Sequence, residues 1–139
     1  MSTAPLPSRL VLLANLVNCR PRDKVRFLGC VDDYDVHGAA LALTHRHSSS
    51  SPAVVAIVNI QHVLQSIKRE DMEVGAWINV MGYVMEDQGR TVGAVPRILS
   101  SGKAKPEKYV RVQALTVWSA GDVDLDSYTD AVLQRQSSQ

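Results

Sequence analysis

The stretch linking two strand-like runs constrains this chain most. After the apolar run 53–58 and before the alternating run 77–84, Ile60, Val63, Leu64 and Ile67 recur at the i, i+3, i+4, i+7 spacing of a helix face, with Asn59 placed as an N-cap. The spacing predicts one short amphipathic helix inside a chain whose other regular segments alternate with a period of two. Its apolar stripe must be buried, and the surrounding sheet has to supply the surface.

The strands are read from that alternation. In 24–34, Val25, Phe27, Gly29 and Val31 fall on one face and Lys24, Arg26, Leu28 and Cys30 on the other; in 39–47, Leu41, Leu43 and His45 share a face. Asp35, Val36, His37 and Gly38 supply turn chemistry between these runs and predict a hairpin. Ser48 to Ser51 with Pro52 read as a flexible loop into the third run. The fourth run sets Ile78, Val80, Gly82 and Val84 against Trp77, Asn79, Met81 and Tyr83, and the fifth sets Val110, Val112 and Ala114 against Arg111, Gln113 and Leu115. The connection 86–108 is long for a hairpin, a length usually associated with function or disorder. Its middle, Thr91 to Leu99, is apolar enough to add a small strand or lie against the sheet, and Ser100 to Lys108 is polar and basic.

Three strands, a helix and two more strands is the order of an OB-fold. The expected class is all-β with helices: a single five-stranded barrel, with the helix between strands 3 and 4 plugging one end and a further helix at the C-terminus. A chain of 139 residues with 45% hydrophobic residues can bury one modest core, so one domain is expected. Its parts are a leader over 1–23, the barrel over 24–121, and a helix with a short tail over 122–139. In the leader, Leu10 to Leu13 are apolar and could cover a barrel mouth as a strand or short helix.

The C-terminal helix is predicted from Leu125, Tyr128, Val132 and Leu133 on one side and Ser127, Asp130 and Gln134 opposite, capped by Asp122 or Asp124. Ordinary OB barrels close without it. Its apolar side must therefore fold back on its own barrel or meet another chain, and because the pattern begins after the barrel has closed, a partner is the expected cover. A partner helix alongside would contribute on the order of a few kcal/mol from apolar burial.

Two cysteines, Cys19 and Cys30, make no disulfide framework and suit a reducing compartment; Cys30, within a strand-like run, is expected to be a small buried thiol. No apolar run approaches a membrane span, and the first nine residues lack the order of a signal peptide. A net charge of +1 hides basic segments at Arg20, Arg22, Lys24 and Arg26 and at Arg90 to Arg111, against an acidic run from Asp122 to Asp130. OB barrels hold single strands with cations along a groove and flat side chains under the bases. Arg26, Trp77, Tyr83 and Arg111, with loop cations Lys103 and Lys105, are the candidates for this work, although each also suits packing or simple solvation. With aromatics at 5% of the chain, stacking platforms are few and DNA affinity of the isolated protein should be weak.

Catalytic readings find less support. His45 and His47 share a strand face but lack a third metal ligand at suitable spacing, so no metal site and no cofactor are expected. Asp32, Asp33 and Asp35 could assist cation-dependent phosphodiester hydrolysis, but an Asp-rich turn explains them more simply. Gly89 to Gly93 lacks the lysine and hydroxyl of a phosphate-cradling loop. A non-enzymatic binding protein is the expectation, with a stand-alone single-strand binder and a metal-assisted nuclease as alternatives.

In order and spacing, the leader Pro7 to Leu13, the segment Lys24 to Gly29, the helix after Val58, Val74 to Tyr83 and Val117 to Gly121 together resemble the fungal Ten-one family, the smallest subunit of the telomere-capping CST complex. The resemblance implies one OB barrel with a C-terminal helix, similar to the small subunit of replication protein A. It also implies pairing with the middle CST subunit, association with the large subunit, help in holding single-stranded telomeric DNA, and residence at telomeres in the nucleus. The Ser48 to Ser51 stretch and the long basic loop depart from the family pattern.

Overall fold

The computed structural model describes residues 8–45, 54–85, 108–121 and 125–137, with the side chains of 125, 126 and 135–137 set aside. Its elements are β1 (Arg9–Leu10), β2 (Lys24–Asp35), β3 (Ala40–Thr44), β4 (Val54–Asn59), β5 (Trp77–Val84), β6 (Lys108–Ser119) and α1 (Leu125–Ser137). Strands β2, β3, β4, β6 and β5 pair in that order, and β5 returns to β2, which closes a five-stranded barrel with β1 added in parallel to β2. The β4–β6 pairing is parallel and the other barrel pairings are antiparallel.

Closure depends on the length of β2. Its first half, Lys24 to Cys30, pairs with β5, and its second half, Cys30 to Asp35, pairs with β3 through a register shift between Val31 and Asp33. The alternation carries one face inward: Val25, Phe27, Val31, Leu41, Leu43, Ile78, Val80, Val112 and Ala114 are buried in one core. The hairpin turn is held by its aspartate, as Asp35 Oδ1 accepts from the His37 amide at 3.1 Å. Asp33 likewise accepts from the Tyr34 amide at 2.8 Å. The Asp-rich stretch thus serves local backbone geometry, and the described residues hold no group of three possible metal ligands.

The leader is both of the expected things in succession. Leu10 belongs to β1, and Leu13–Asn18 forms a short 3-10 helix that places Leu13 and Leu16 in the barrel core. The buried thiol is Cys19, 5% exposed, whose sulfur accepts from Arg9 at 3.2 Å. Cys30 is half-buried on the outward face, where burial and the Asp32 carboxylate push its thiol pKa up.

The segment after β4 differs from the helix that the spacing predicts. It forms two 3-10 turns, Gln61–Val63 and Arg69–Met72, joined by further turns. Ile60, Val63 and Ile67 are buried as expected, but Leu64 is exposed. Three of the four apolar positions are β-branched, and eight residues are too few to nucleate a stable helix. Asn59 keeps a cap-like role, its Oδ1 accepting from the Gln61 amide at 2.9 Å. The turns carry the apolar side chains into the core without a regular helix.

Candidate partner and nucleic-acid faces

Helix α1 lies against the barrel beside Leu28 of β2. β1 accompanies β2 only to Arg26, with the Val11 amide donating to the Arg26 carbonyl at 3.0 Å, and β3 joins β2 from Cys30 onward. Leu28, between them, has no strand partner on that edge among the described residues. Its carbonyl lies 3.4 Å from His45 Nδ1, and its backbone faces the Tyr128 hydroxyl. Leu28 points outward from the barrel yet is 1% exposed. The helix residue Val132 is likewise fully buried within this chain. The His45 ring stands 5.7 Å from Trp77, edge-on, and 6.1 Å from Tyr128. The helix is therefore anchored to its own barrel through Tyr128 and Val132.

This divides the predicted stripe. Val132 is spent on the intramolecular contact, Tyr128 is half-buried, and Leu133 remains 47% exposed; the Leu125 side chain lies outside the described residues. The Tyr128 hydroxyl is buried without a hydrogen bond of good geometry, and burial raises its pKa against the opposing effects of the Leu28 backbone and Arg26. Trp118, two strands along the same outer row as Leu28 and Asn79, is 39% exposed. Sequence reasoning left Trp118 out of the candidate site, because which outward residues share a row depends on register.

The candidate nucleic-acid residues are not all brought together. Trp77, opposite Cys30, stands at the helix end of β5, six residues and about 20 Å of strand from Tyr83. It is half-buried against His45 and contributes to packing there. Tyr83 is 37% exposed on the outer face, directly opposite Lys24 on one side and Gln113 on the other. Arg26 and Arg111 stand two residues along from those neighbours, at diagonal positions. Arg26 is half-buried, and its Nε and the Gln113 Nε2 are buried donors without an acceptor. Lys103 and Lys105 lie outside the described residues, as do His47, Ser48 to Ser51 and Thr91 to Leu99. Lys24 was missed as a candidate although its outward position was legible, because its place beside Tyr83 follows only from the β2–β5 register.

The outer face of β3 and β4 is aliphatic. Ala42, Val55 and Ile57 are buried there, with Ala40 and Tyr109 packed at the margin. Among its described residues, Tyr109 is the sole aromatic ring, which makes this face a poor platform for bases. Among the described residues no helix is long and apolar enough to cross a membrane.

Comparison with known proteins agrees with this architecture. Residues 1–134 match the Ten1 family, described as a telomere capping, CST complex subunit. No curated protein matches the sequence. Among solved structures, a chain of the S. pombe Stn1-Ten1 complex is similar at 21% identity with a TM-score of 0.62, covering 99% of this chain and 100% of that one. The telomere capping protein Ten1 from S. pombe is similar at 22% identity with a TM-score of 0.60, covering 94% of this chain and 99% of that one. A U. maydis replication protein A structure bound to ssDNA is similar at 15% identity with a TM-score of 0.57, covering 96% of this chain and 94% of that one. These likenesses establish the shared OB-fold, and with nearly the whole sequence matched by the family, the chain belongs to the Ten1 family of telomere-capping CST complex subunits.

Proposed function

We propose that this chain is a non-catalytic subunit that acts in the nucleus at telomeres, pairing through α1 with the middle OB-fold subunit of a CST-type complex and joining the large subunit through it. In this reading the leader over 1–23 and the barrel over 24–121 form the body, and 122–139 carries the pairing surface. The carrying observation is the two-sided use of α1: Val132 is fully buried within the chain while the adjacent Leu133 is 47% exposed. Tyr128 and Val132 fix the angle of the helix, and Leu125, Leu133 and the open side of Tyr128 meet the partner. The S. pombe structure that this chain resembles is a complex of Stn1 with Ten1, which supports pairing of the same kind here. The replication protein A structure contains ssDNA, which supports a role in assisting single-strand binding.

The test is size-exclusion chromatography of this chain with and without the middle subunit, repeated for Leu133→Asp. The half-exposed leucine contributes roughly 1 kcal/mol on burial, and an unpaired carboxylate in its place costs several kcal/mol more. The wild type should co-elute with the middle subunit, and Leu133→Asp should elute alone with an unchanged melting temperature. A variant that pairs as the wild type does, or a wild type that ignores the middle subunit, refutes the assignment.

A further inference from the structure

The register of the barrel sets Tyr83 apart from Tyr128 of the pairing helix, and Arg26 borders both. Tyr83 lies on the outer face in the row Lys24, Tyr83, Gln113, whereas Tyr128 of α1 sits by His45, which also touches Trp77 at the far end of β5. Facing side chains on adjacent strands are about 5 Å apart and diagonal ones about 7–8 Å, so the Lys24, Arg26 and Arg111 positions all lie within one long side chain of the tyrosine ring. The described neighbours of Tyr83 on this face are Lys24, Arg26, Met81, Gln113 and Arg111, and none of them is acidic. Asp23, the nearest carboxylate along β2, already accepts from the Arg20 amide at 2.8 Å and faces Arg9 at 4.0 Å.

Further cations border the same corner. Exposed Arg22 donates its amide to the Val84 carbonyl at 2.7 Å, and the Met85 amide donates to the Arg111 carbonyl at 2.9 Å. These two bonds tie the start of β2 and the start of β6 to the end of β5, so their basic side chains are carried on rigid strand ends. An exposed aromatic ring set among cations, with no acid among its described cross-strand neighbours, complements a polyanion that also carries flat apolar surfaces.

We propose that the outer-face corner around Tyr83, with Lys24 opposite and Arg26 and Arg111 on its diagonals, is the single-stranded DNA contact of this chain, one base stacking on the Tyr83 ring while adjoining phosphates lie along the cations. The inference rests on the single-strand role proposed above and gives it a place, centred on Tyr83 and bordering the pairing helix at Arg26. It locates the contact on β2, β5 and the start of β6, away from the aliphatic outer face of β3 and β4. Because every base has a π-face, the contact is tolerant of sequence.

The experiment uses the chain together with the middle subunit and a fluorescein-labelled single-stranded oligodeoxynucleotide, followed by anisotropy across a salt series. Tyr83→Ala should weaken binding about 5- to 100-fold, the loss of one base–aromatic stack, and Tyr83→Phe should retain it. Lys24→Gln and Arg111→Gln should each lower the slope of log affinity against log salt by about 0.7. Tyr83 is exposed, so these variants should keep the wild-type melting curve. Oligonucleotide binding that is unchanged by Tyr83→Ala, with unchanged salt slopes in the charge variants, overturns the placement. So does a wild-type complex that binds no oligonucleotide, a result that leaves the pairing reading intact. Loss of the middle subunit from Tyr83→Ala would make the corner a protein interface and would equally overturn it.

Discussion

Gly82→Ala tests the geometry that carries Tyr83. At Gly82 the β5–β6 register slips: Gly82 opposes Ala114, whereas Met81 opposes Thr116, which leaves Leu115 as the extra residue of a bulge. A Cβ on Gly82 would collide with the Gln113 carbonyl oxygen and stand 2.9 Å from its carbon and 3.0 Å from the Ala114 Cα. All three atoms are backbone, so no side chain can rotate away, and β6 must retreat by about 1 Å to reach ordinary contact. Overpacking of this kind costs ~1–3 kcal/mol, and weakening the two ladder bonds nearest the slip adds ~1 kcal/mol each. A total of ~3–5 kcal/mol is a large share of a small domain's stability of ~5–15 kcal/mol. The expected result is a melting temperature lowered by ~10–15 °C in far-UV circular dichroism. Gly75→Ala is the control, because its φ is +97° but nothing lies within 4 Å of the added carbon. Backbone strain alone should cost that variant ~1 kcal/mol. If Gly82→Ala melts with the wild type, or loses less than Gly75→Ala, the close approach of β5 and β6 at the bulge is wrong.

Two further outcomes address α1. Val132→Ala should cost ~1–2 kcal/mol of helix docking and speed amide hydrogen exchange in α1 while the barrel strands keep their protection; equal protection in α1 would mean that the helix is not anchored there. Tyr128 has its pKa raised chiefly by burial, so the folded state holds its proton more tightly than the unfolded chain. Its stabilising effect is complete below the ordinary tyrosine value of about 10 and is lost as pH rises through the folded value. Tyr128→Phe should therefore remove part of the alkaline loss of helix protection and delete from the tyrosinate absorbance curve a phenol that titrates above the ordinary value. Amplitude lost at the ordinary tyrosine value instead would place that phenol in solvent.

Alternation along the chain was enough to place the barrel strands. Their period of two is imposed by the pleat, and one face of each had to be apolar to fill a closed core, so Val25, Phe27, Leu41, Leu43, Ile78, Val80 and Val112 identified themselves. The sequence also marked α1 and the apolar character of the leader. Alternation records which face a residue occupies but not which residue of another strand stands beside it. Only the tertiary structure brought Lys24, Tyr83 and Gln113 into one row and set Trp77 apart with His45. The helix predicted over 60–67 failed for a related reason: helical spacing requires only that Ile60, Val63 and Ile67 reach the core, and turns packed against the barrel satisfy that without the cost of nucleating a helix. The cover of α1 was decided in the same way. Leu28 comes to lie between the stretches of β2 that β1 and β3 pair with only after those strands have taken their places, and Tyr128 sits beside its backbone. Local periodicity fixes what must be buried, whereas register and closure fix against what.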